Sequence, residues 1–259
     1  MEVTVIDAYI LRLIGQPQQG WIHIKDKELT RADFLYKLTT AKAAMIDITL
    51  IPGETTYIFL QTLSQELDLS FTALQKSYKE QAYSKEGVLA PNTYKIPKGI
   101  SESKLVKYLL KESKKREIEI SQKIFGMYKE SKWLRFVTIA SIIQKEAASI
   151  DEMPLISSVI YNRLKKGMRL QMDGTLNYGK YSHVKVTSRR IKSDRSSYNT
   201  YRIKGLPPYP VSTVSSEAIR SAIFPAKTNF LYFVKGKNGK HKFTRYYSTH
   251  IKNIRNATK

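Results

Sequence analysis

The sequence predicts an α+β protein, in which a small N-terminal strand and helix region is joined by a charged helical arm to a mixed helix and β-hairpin domain. Three observations carry this. Residues 133 to 149, WLRFVTIASIIQKEAAS, repeat apolar side chains at helical spacing. Residues 46 to 53, IDITLIPG, alternate apolar and polar up to a Pro-Gly turn, and a hydrophobic return strand lies in EGVLAPNTYKIPKG at 86 to 99. Residues 231 to 247, LYFVKGKNGKHKFTRYY, place two strand-like runs around a Lys-Asn-Gly turn. With 259 residues, 42% of them hydrophobic, the chain can bury a sizeable core in one large domain or two smaller ones.

Taken in order, VTVIDAYILRLIG at 3 to 15 reads as a strand and WIHI at 21 to 24 as a second, shorter one. Thr30, with Asp33 at the third helical position, opens a helix through Phe34, Leu35 and Leu38. After the strand carrying Ile46, Ile48 and Leu50, Thr55 or Thr56 caps a helix through Ile58, Phe59, Leu63 and Leu67. Ser70 caps another through Leu74 and Tyr78, which completes an N-terminal α/β region over 1 to 100. Residues 101 to 130 read as the arm, with Leu105, Tyr108, Leu109, Ile118, Ile120, Ile124 and Met127 as its apolar set. Its Lys111 to Arg116 cluster reads as a solvated face.

The domain from 131 to 259 begins with the first of the three stretches. At about 100° per residue, Phe136, Ile139, Ala140, Ile143 and Ala147 share one stripe, with Lys145 opposite and Gln144 and Lys145 reaching water. Asp151 and Pro154 open a second, antiparallel helix through Leu155, Ile156, Val159, Ile160 and Leu164, which Gly167 stops. From Met168, some forty residues rich in Gly, Tyr, Ser, Asn and Pro read as irregular, yet tyrosines at 178, 181, 198, 201 and 209 argue against disorder. Ser215 or Ser216 caps a short helix through Ile219, Ala222 and Ile223, and the hairpin ends the domain.

The net charge of +22 is unevenly spread: residues 1 to 130 hold 19 Lys or Arg against 16 acids, whereas 131 to 259 hold 25 against 6. Such a field favours an anionic polymer, whether nucleic acid, membrane surface or cell-wall glycan. The basic residues are scattered without a nucleic-acid motif, so nucleic acid is not the expected partner. There is no cysteine, and His23, His183, His241 and His250 lack ligand spacing, so no metal and no cofactor are expected. No apolar run reaches the roughly 18 residues of a membrane span, and no leader of basic and apolar residues opens the chain.

Glu146 falls on the flank of the apolar stripe, one turn from Ile142 and Ile143. A carboxyl kept against apolar surface has a raised pKa and can donate a proton near neutrality. The structural alternative is a rim glutamate paired with an arginine. Hydrolytic glycosidases use two carboxylates, and Asp151, Glu152, Asp173, Asp194 and Glu217 offer Glu146 no obvious partner. The irregular stretch supplies hydrogen-bonding groups at Gln171, Asp173, Thr175, Asn199 and Thr200 and flat tyrosine faces, a combination suited to a sugar groove or to stacked bases.

Four blocks carry a family resemblance: ASIIQKEA at 140 to 147, SVIYNRLKKGMRLQMDGTLNYG at 158 to 179, YNTYRIKGLPP at 198 to 208, and AIFPAKTNFLYFVKGKNGKHKFTRYYSTH at 222 to 250. In order and content they resemble the MltG (YceG-like) endolytic murein transglycosylases. The resemblance implies a LysM-like subdomain at about 46 to 98 and a YceG-like catalytic domain over 131 to 259. It implies cleavage of the MurNAc-GlcNAc β-1,4 bond of nascent peptidoglycan strands without water, leaving 1,6-anhydroMurNAc ends. The catalytic acid/base would be Glu146, and one carboxyl suffices because the sugar's own C6 hydroxyl is the nucleophile. Asn162, Arg163, Gln171, Asp173, Thr175, Tyr178, Tyr198, Asn199, Thr200 and Tyr201 would surround the glycan. The resemblance further implies peptidoglycan synthases as partners. It also implies an inner-membrane location, through a single N-terminal helix upstream of residue 1, with the catalytic domain in the periplasm. Two departures bear on loop rigidity: Gly174 stands where the family usually has Pro, and STVS at 212 to 215 replaces an Asn-Pro-Gly. A non-catalytic peptidoglycan-binding protein is the second reading.

Overall fold

The computed structural model describes residues 3–17, 22, 24, 28–40 and 44–258. Its first element corrects the sequence reading: the expected strand is helix α1 (Val5–Ile14). The β-branched run favours a strand, but the Thr4 backbone and hydroxyl both donate to Asp7, closing a capping box that starts a helix. Helix α2 (Arg31–Thr40) follows the expected Thr30 and Asp33 signal, and Arg31 pairs with Asp7 across the two helices. Trp21 and His23 of the expected second strand lie outside the described residues.

Strand β1 (Met45–Leu50), helices α3 (Thr56–Glu66) and α4 (Phe71–Gln81) and strand β2 (Asn92–Pro97) form a β-α-α-β unit. Thr55 caps α3 and Ser70 caps α4 through their side chains. The strands pair antiparallel, with Ile46 opposite Ile96 and Ile48 opposite Tyr94, so alternate side chains meet on one face. Under that face lie Leu50, Phe59, Leu63, Leu74, Leu105 and Leu109, all essentially sealed from water. Helix α5 (Glu102–Phe125) packs along α4. Met127, expected among the apolar set of this arm, is exposed, and the buried positions along the later turns of α5 are Ser113, Glu117 and Ser121.

The second cluster is built on α6 (Glu130–Glu146), α7 (Met153–Lys165) and α9 (Ser216–Ile223), packed through Ile139, Ile142, Ile143, Ile156, Val159, Ile160 and Ala222. The stretch after Met168 is less irregular than expected. It contains one-turn 3-10 segments at Asp173–Leu176 and Gly179–Tyr181 and a short helix, α8 (Ser188–Ser193), capped by Thr187. The hairpin pairs β3 (Tyr232–Lys235) with β4 (His241–Thr244), but it does not end the domain. Helix α10 (Tyr247–Thr258) follows and covers the hairpin through Tyr247 and His250, both against the Tyr232 ring. No helix among the described residues is long and apolar enough to cross a membrane.

Backbone hydrogen bonds clamp the β-α-α-β unit onto the second cluster. Gly53 N–H donates to the Thr213 carbonyl at 3.0 Å and Thr213 N–H returns to Glu54 at 2.8 Å, while the Thr55 hydroxyl donates to the Gly179 carbonyl. The STVS segment at 212 to 215 therefore takes part in joining the two units, through Thr213. Gly87, at φ +79°, allows the closest approach, because a Cβ there would lie 2.5 Å from the Pro210 ring.

Candidate active site

Every residue of α6 from Val137 to Ile143 is buried. Over this span the helix is surrounded, so its buried hydroxyls find partners within the protein: Thr138 donates to the Leu134 carbonyl, and Ser141 donates to the Thr138 carbonyl and accepts from the Val211 N–H. The two expected water-facing residues at its end are turned inward. Gln144 accepts from the Ser215 N–H, and the Lys145 ammonium donates to the Ser182 hydroxyl at 3.1 Å. Burial pulls Lys145 below its usual pKa, against the opposing effect of the Glu54 and Glu86 carboxylates.

Glu146 ends the helix, half-buried. Its Oε1 accepts the Gly174 N–H at 2.7 Å, and Oε2 has no hydrogen bond among the described residues. Burial pushes its carboxyl up to about 7; the Asp173 charge adds to the rise, and the Gly174 N–H and the Arg163 charge oppose it. The approach at Gly174 is tight. A Cβ there would sit 2.6 Å from Lys145 Cβ and 2.9 Å from Glu146 Oε1. A proline at this position would also have no N–H to give.

Asp173 alters one expectation. No obvious acid partner for Glu146 stood out in the sequence, yet the 3-10 turn brings the Asp173 carboxylate close enough for its charge to act on Glu146. Asp173 is exposed, and its Oδ1 accepts the Tyr201 hydroxyl at 2.6 Å. Glu146, Asp173, Gly174 and Tyr201 therefore form one group, and burial raises the Tyr201 hydroxyl pKa well above its ordinary value.

The remaining expected site residues divide by what their side chains hold. Asn162 donates to the carbonyls of Thr228 and Phe230, and Arg163 donates to those of Leu231, Leu170 and Arg169 with its guanidinium over the Tyr232 ring. Asn199 donates to the Ile191 and Asp194 carbonyls. Thr175 donates to the Met172 carbonyl, and Thr200 accepts the Met172 N–H. These five tie the long loop to the helices and the hairpin. Gln171 is exposed at φ +47°. Tyr178 and Tyr198 stack with centroids 4.4 Å apart, and the Tyr178 hydroxyl donates to Asp194.

Sequence reading missed Lys145, Glu54 and Glu86. Glu54 accepts its neighbour Thr55's N–H and lies 2.8 Å from His183 Nε2, and buried Glu86 accepts from the Thr56 and Gly87 backbones and the Thr56 hydroxyl. Both acids follow or precede a turn glycine, a signal too common to single them out.

The YceG-like family model matches residues 4–256. The endolytic murein transglycosylase of Bacillus subtilis is 39% identical over 119 residues, which are 46% of this chain and 33% of that protein. Its Streptococcus pneumoniae counterpart is 32% identical over 181 residues, 66% of this chain and 32% of that protein. The chain thus spans about a third of the length of these curated relatives. The crystal structure of a yceG-like protein from Listeria monocytogenes has the same fold, with a TM-score of 0.68 at 24% identity over 95% of this chain and 88% of that one. On a match that runs almost from end to end, the chain belongs to the YceG-like family.

Proposed function

We propose that this chain is a peptidoglycan lytic transglycosylase of the endolytic murein type. It cuts the MurNAc-GlcNAc β-1,4 bond within nascent strands and so ends their growth. The observation that carries this is Glu146, a carboxyl pushed up to about 7 with one oxygen held by the Gly174 N–H and the other open. A group poised near neutrality can give and take the same proton.

Protonated Glu146 gives its proton to the glycosidic oxygen as the C1–O4 bond breaks. The C6 hydroxyl of the same sugar then attacks C1, closing the 1,6-anhydro ring, and its proton returns to the Glu146 carboxylate. No water is consumed, and the intramolecular nucleophile supplies the advantage a second acid would otherwise provide. Asp173, anchored by the Tyr201 hydroxyl, faces positive charge developing at C1. Arg163 acts as a positioning residue, since it holds the hairpin and the loop on either side of the site. The substrate places the enzyme in the cell envelope, where a membrane anchor and a synthase partner fit strands that are still growing.

Asp173 also supports a second reading, hydrolysis by a carboxylate pair. Digestion of purified sacculi separates the two. Anhydro-ended fragments from the wild-type chain and none from Glu146→Gln are expected. Reducing ends would establish hydrolysis, and equal yield from Glu146→Gln would sink both.

A further inference from the structure

Glu152 and His241 have no part in the reaction as drawn above, yet they meet at the exit of the helix that carries Glu146. Glu152 is buried in the turn between α6 and α7, six residues after Glu146. Its Oε1 accepts the His241 backbone N–H at 2.7 Å, and its Oε2 faces His241 Nδ1 at 2.7 Å. Both side chains are less than a tenth exposed. Burial acts to raise the Glu152 carboxyl, but the hydrogen bonds and charge of His241 and the Ala148 N–H together hold it below its usual pKa. A carboxylate can only accept, so Nδ1 carries a proton and donates whether or not the ring is charged. The pair also marks where α6 stops. Ala148 N–H would extend the helix by donating to the Gln144 carbonyl, and instead it donates to Glu152 Oε2 at 3.4 Å. A carboxylate at this end meets the negative pole of the helix dipole, and the two His241 donors offset that cost. His241 stands opposite Lys235, and at the other end of the hairpin Arg163 donates to the Leu231 carbonyl at 2.6 Å. The hairpin is thus fastened to α7 through Arg163 and to the exit of α6 through Glu152.

We propose that Glu152 and His241 are positioning residues, which fix the end of α6 so that the Glu146 carboxyl stays on the Gly174 N–H, and which make that placement depend on the hairpin. The effect on rate rests on the transglycosylase reading. The effect on the Glu146 carboxyl does not, because it is measured without turnover. The charges that act on Glu146 are those of Asp173, on its 3-10 turn and held by the Tyr201 hydroxyl, and of Arg163 on α7. The Gly174 N–H lowers the Glu146 pKa, so an α6 end that slips off this donor raises it. Loss of a nearby negative charge, with nothing moved, would lower it. The sign of the change therefore separates positioning from plain electrostatics.

The test compares Glu152→Gln, His241→Leu and His241→Asn in the full chain, with fragment release from glycan strands for kcat and KM. The Glu146 titration is followed by carbon-13 NMR of the glutamate carboxyls, its signal identified by its loss in Glu146→Gln. Glu152→Gln and His241→Leu are expected to lower kcat about tenfold, the scale of a slightly misplaced acid, with KM within about twofold. In both, the Glu146 midpoint should rise by about half a pH unit. His241→Asn sets an amide N–H near the place of Nδ1 and should keep kcat within about threefold of wild type. Leu74→Ala, which weakens the core of the β-α-α-β unit, should lower the unfolding midpoint and leave kcat and the Glu146 titration unchanged. If Glu152→Gln does not fold, the two His241 variants decide. Wild-type kcat in folded Glu152→Gln or His241→Leu, or a Glu146 midpoint that stays put or falls, overturns the proposal. If the midpoint rises as expected while the wild-type chain yields no anhydro ends, the positioning pair stands and the transglycosylase reading falls.

Discussion

Glu86 and Glu146 are two carboxyls raised to about 7 by the same cause, burial, in two halves of the molecule. Their hydrogen bonds set them apart. Glu86 is surrounded by donors, the Thr56 hydroxyl and the Thr56 and Gly87 backbones, and seals the floor of a junction. Among the described residues Glu146 has a single donor, the Gly174 N–H, and one oxygen without a hydrogen bond. Glu117 repeats the first pattern on α5, raised to about 7 while accepting the Tyr83 and Tyr128 hydroxyls. A shifted pKa therefore reports burial, and the open oxygen is what separates a reactive carboxyl from a structural one.

The contrast breaks most sharply on substitution. Glu146→Gln should lower the rate of anhydro-end formation about a thousandfold, the scale of a lost general acid. Glu86→Gln should leave turnover within about threefold, because that carboxyl holds backbone rather than substrate. Equal losses in a product-release assay would erase the distinction. Next in size, Gly174→Ala places a methyl against Lys145 and Glu146 and should reduce kcat by about ten- to a hundredfold while the chain stays folded. Wild-type kcat in that variant would show that the 2.7 Å bond does not position the acid.

Two smaller effects sharpen the comparison. Glu86→Gln replaces an acceptor of three N–H or O–H groups with an amide, and should cost about 1–3 kcal/mol in denaturant unfolding. The pH response separates the two roles. Glu86, Glu117 and Glu146 are each raised from 4.5 to about 7, so the native state holds their protons where the unfolded chain has lost them. Their contribution to stability is fully present below 4.5 and is lost as pH rises through about 7. Glu146→Gln removes one share, so between about pH 5 and 8 it should lose less stability than wild type by on the order of 1 kcal/mol. Activity should fall over the upper part of the same range, as Glu146 loses the proton it must donate.

The sequence by itself determined the elements whose signals act within a turn or two. Thr30, Thr55, Ser70 and Ser215 begin helices where their side chains reach the next free N–H groups, and the alternation of Ile46, Ile48 and Leu50 makes a strand. The place of Glu146 at the end of α6 was legible in the same way. Misreadings arose where two local signals competed or where the decisive partner is distant. A β-branched run lost to the Thr4 and Asp7 capping box in α1. Helical spacing put Lys145 in water, but α6 is enclosed from Val137 to Ile143 and the lysine just beyond reaches Ser182, 37 residues on. Only the tertiary structure decided that Asn162, Arg163 and Asn199 hold carbonyls, that Asp173 stands near Glu146, and that His241 meets Glu152 at the exit of α6. The physical reason is range. Caps and alternation are settled by neighbours along the chain, whereas burial, and the pKa shifts and free donors it leaves, depend on which surfaces meet once the chain has closed.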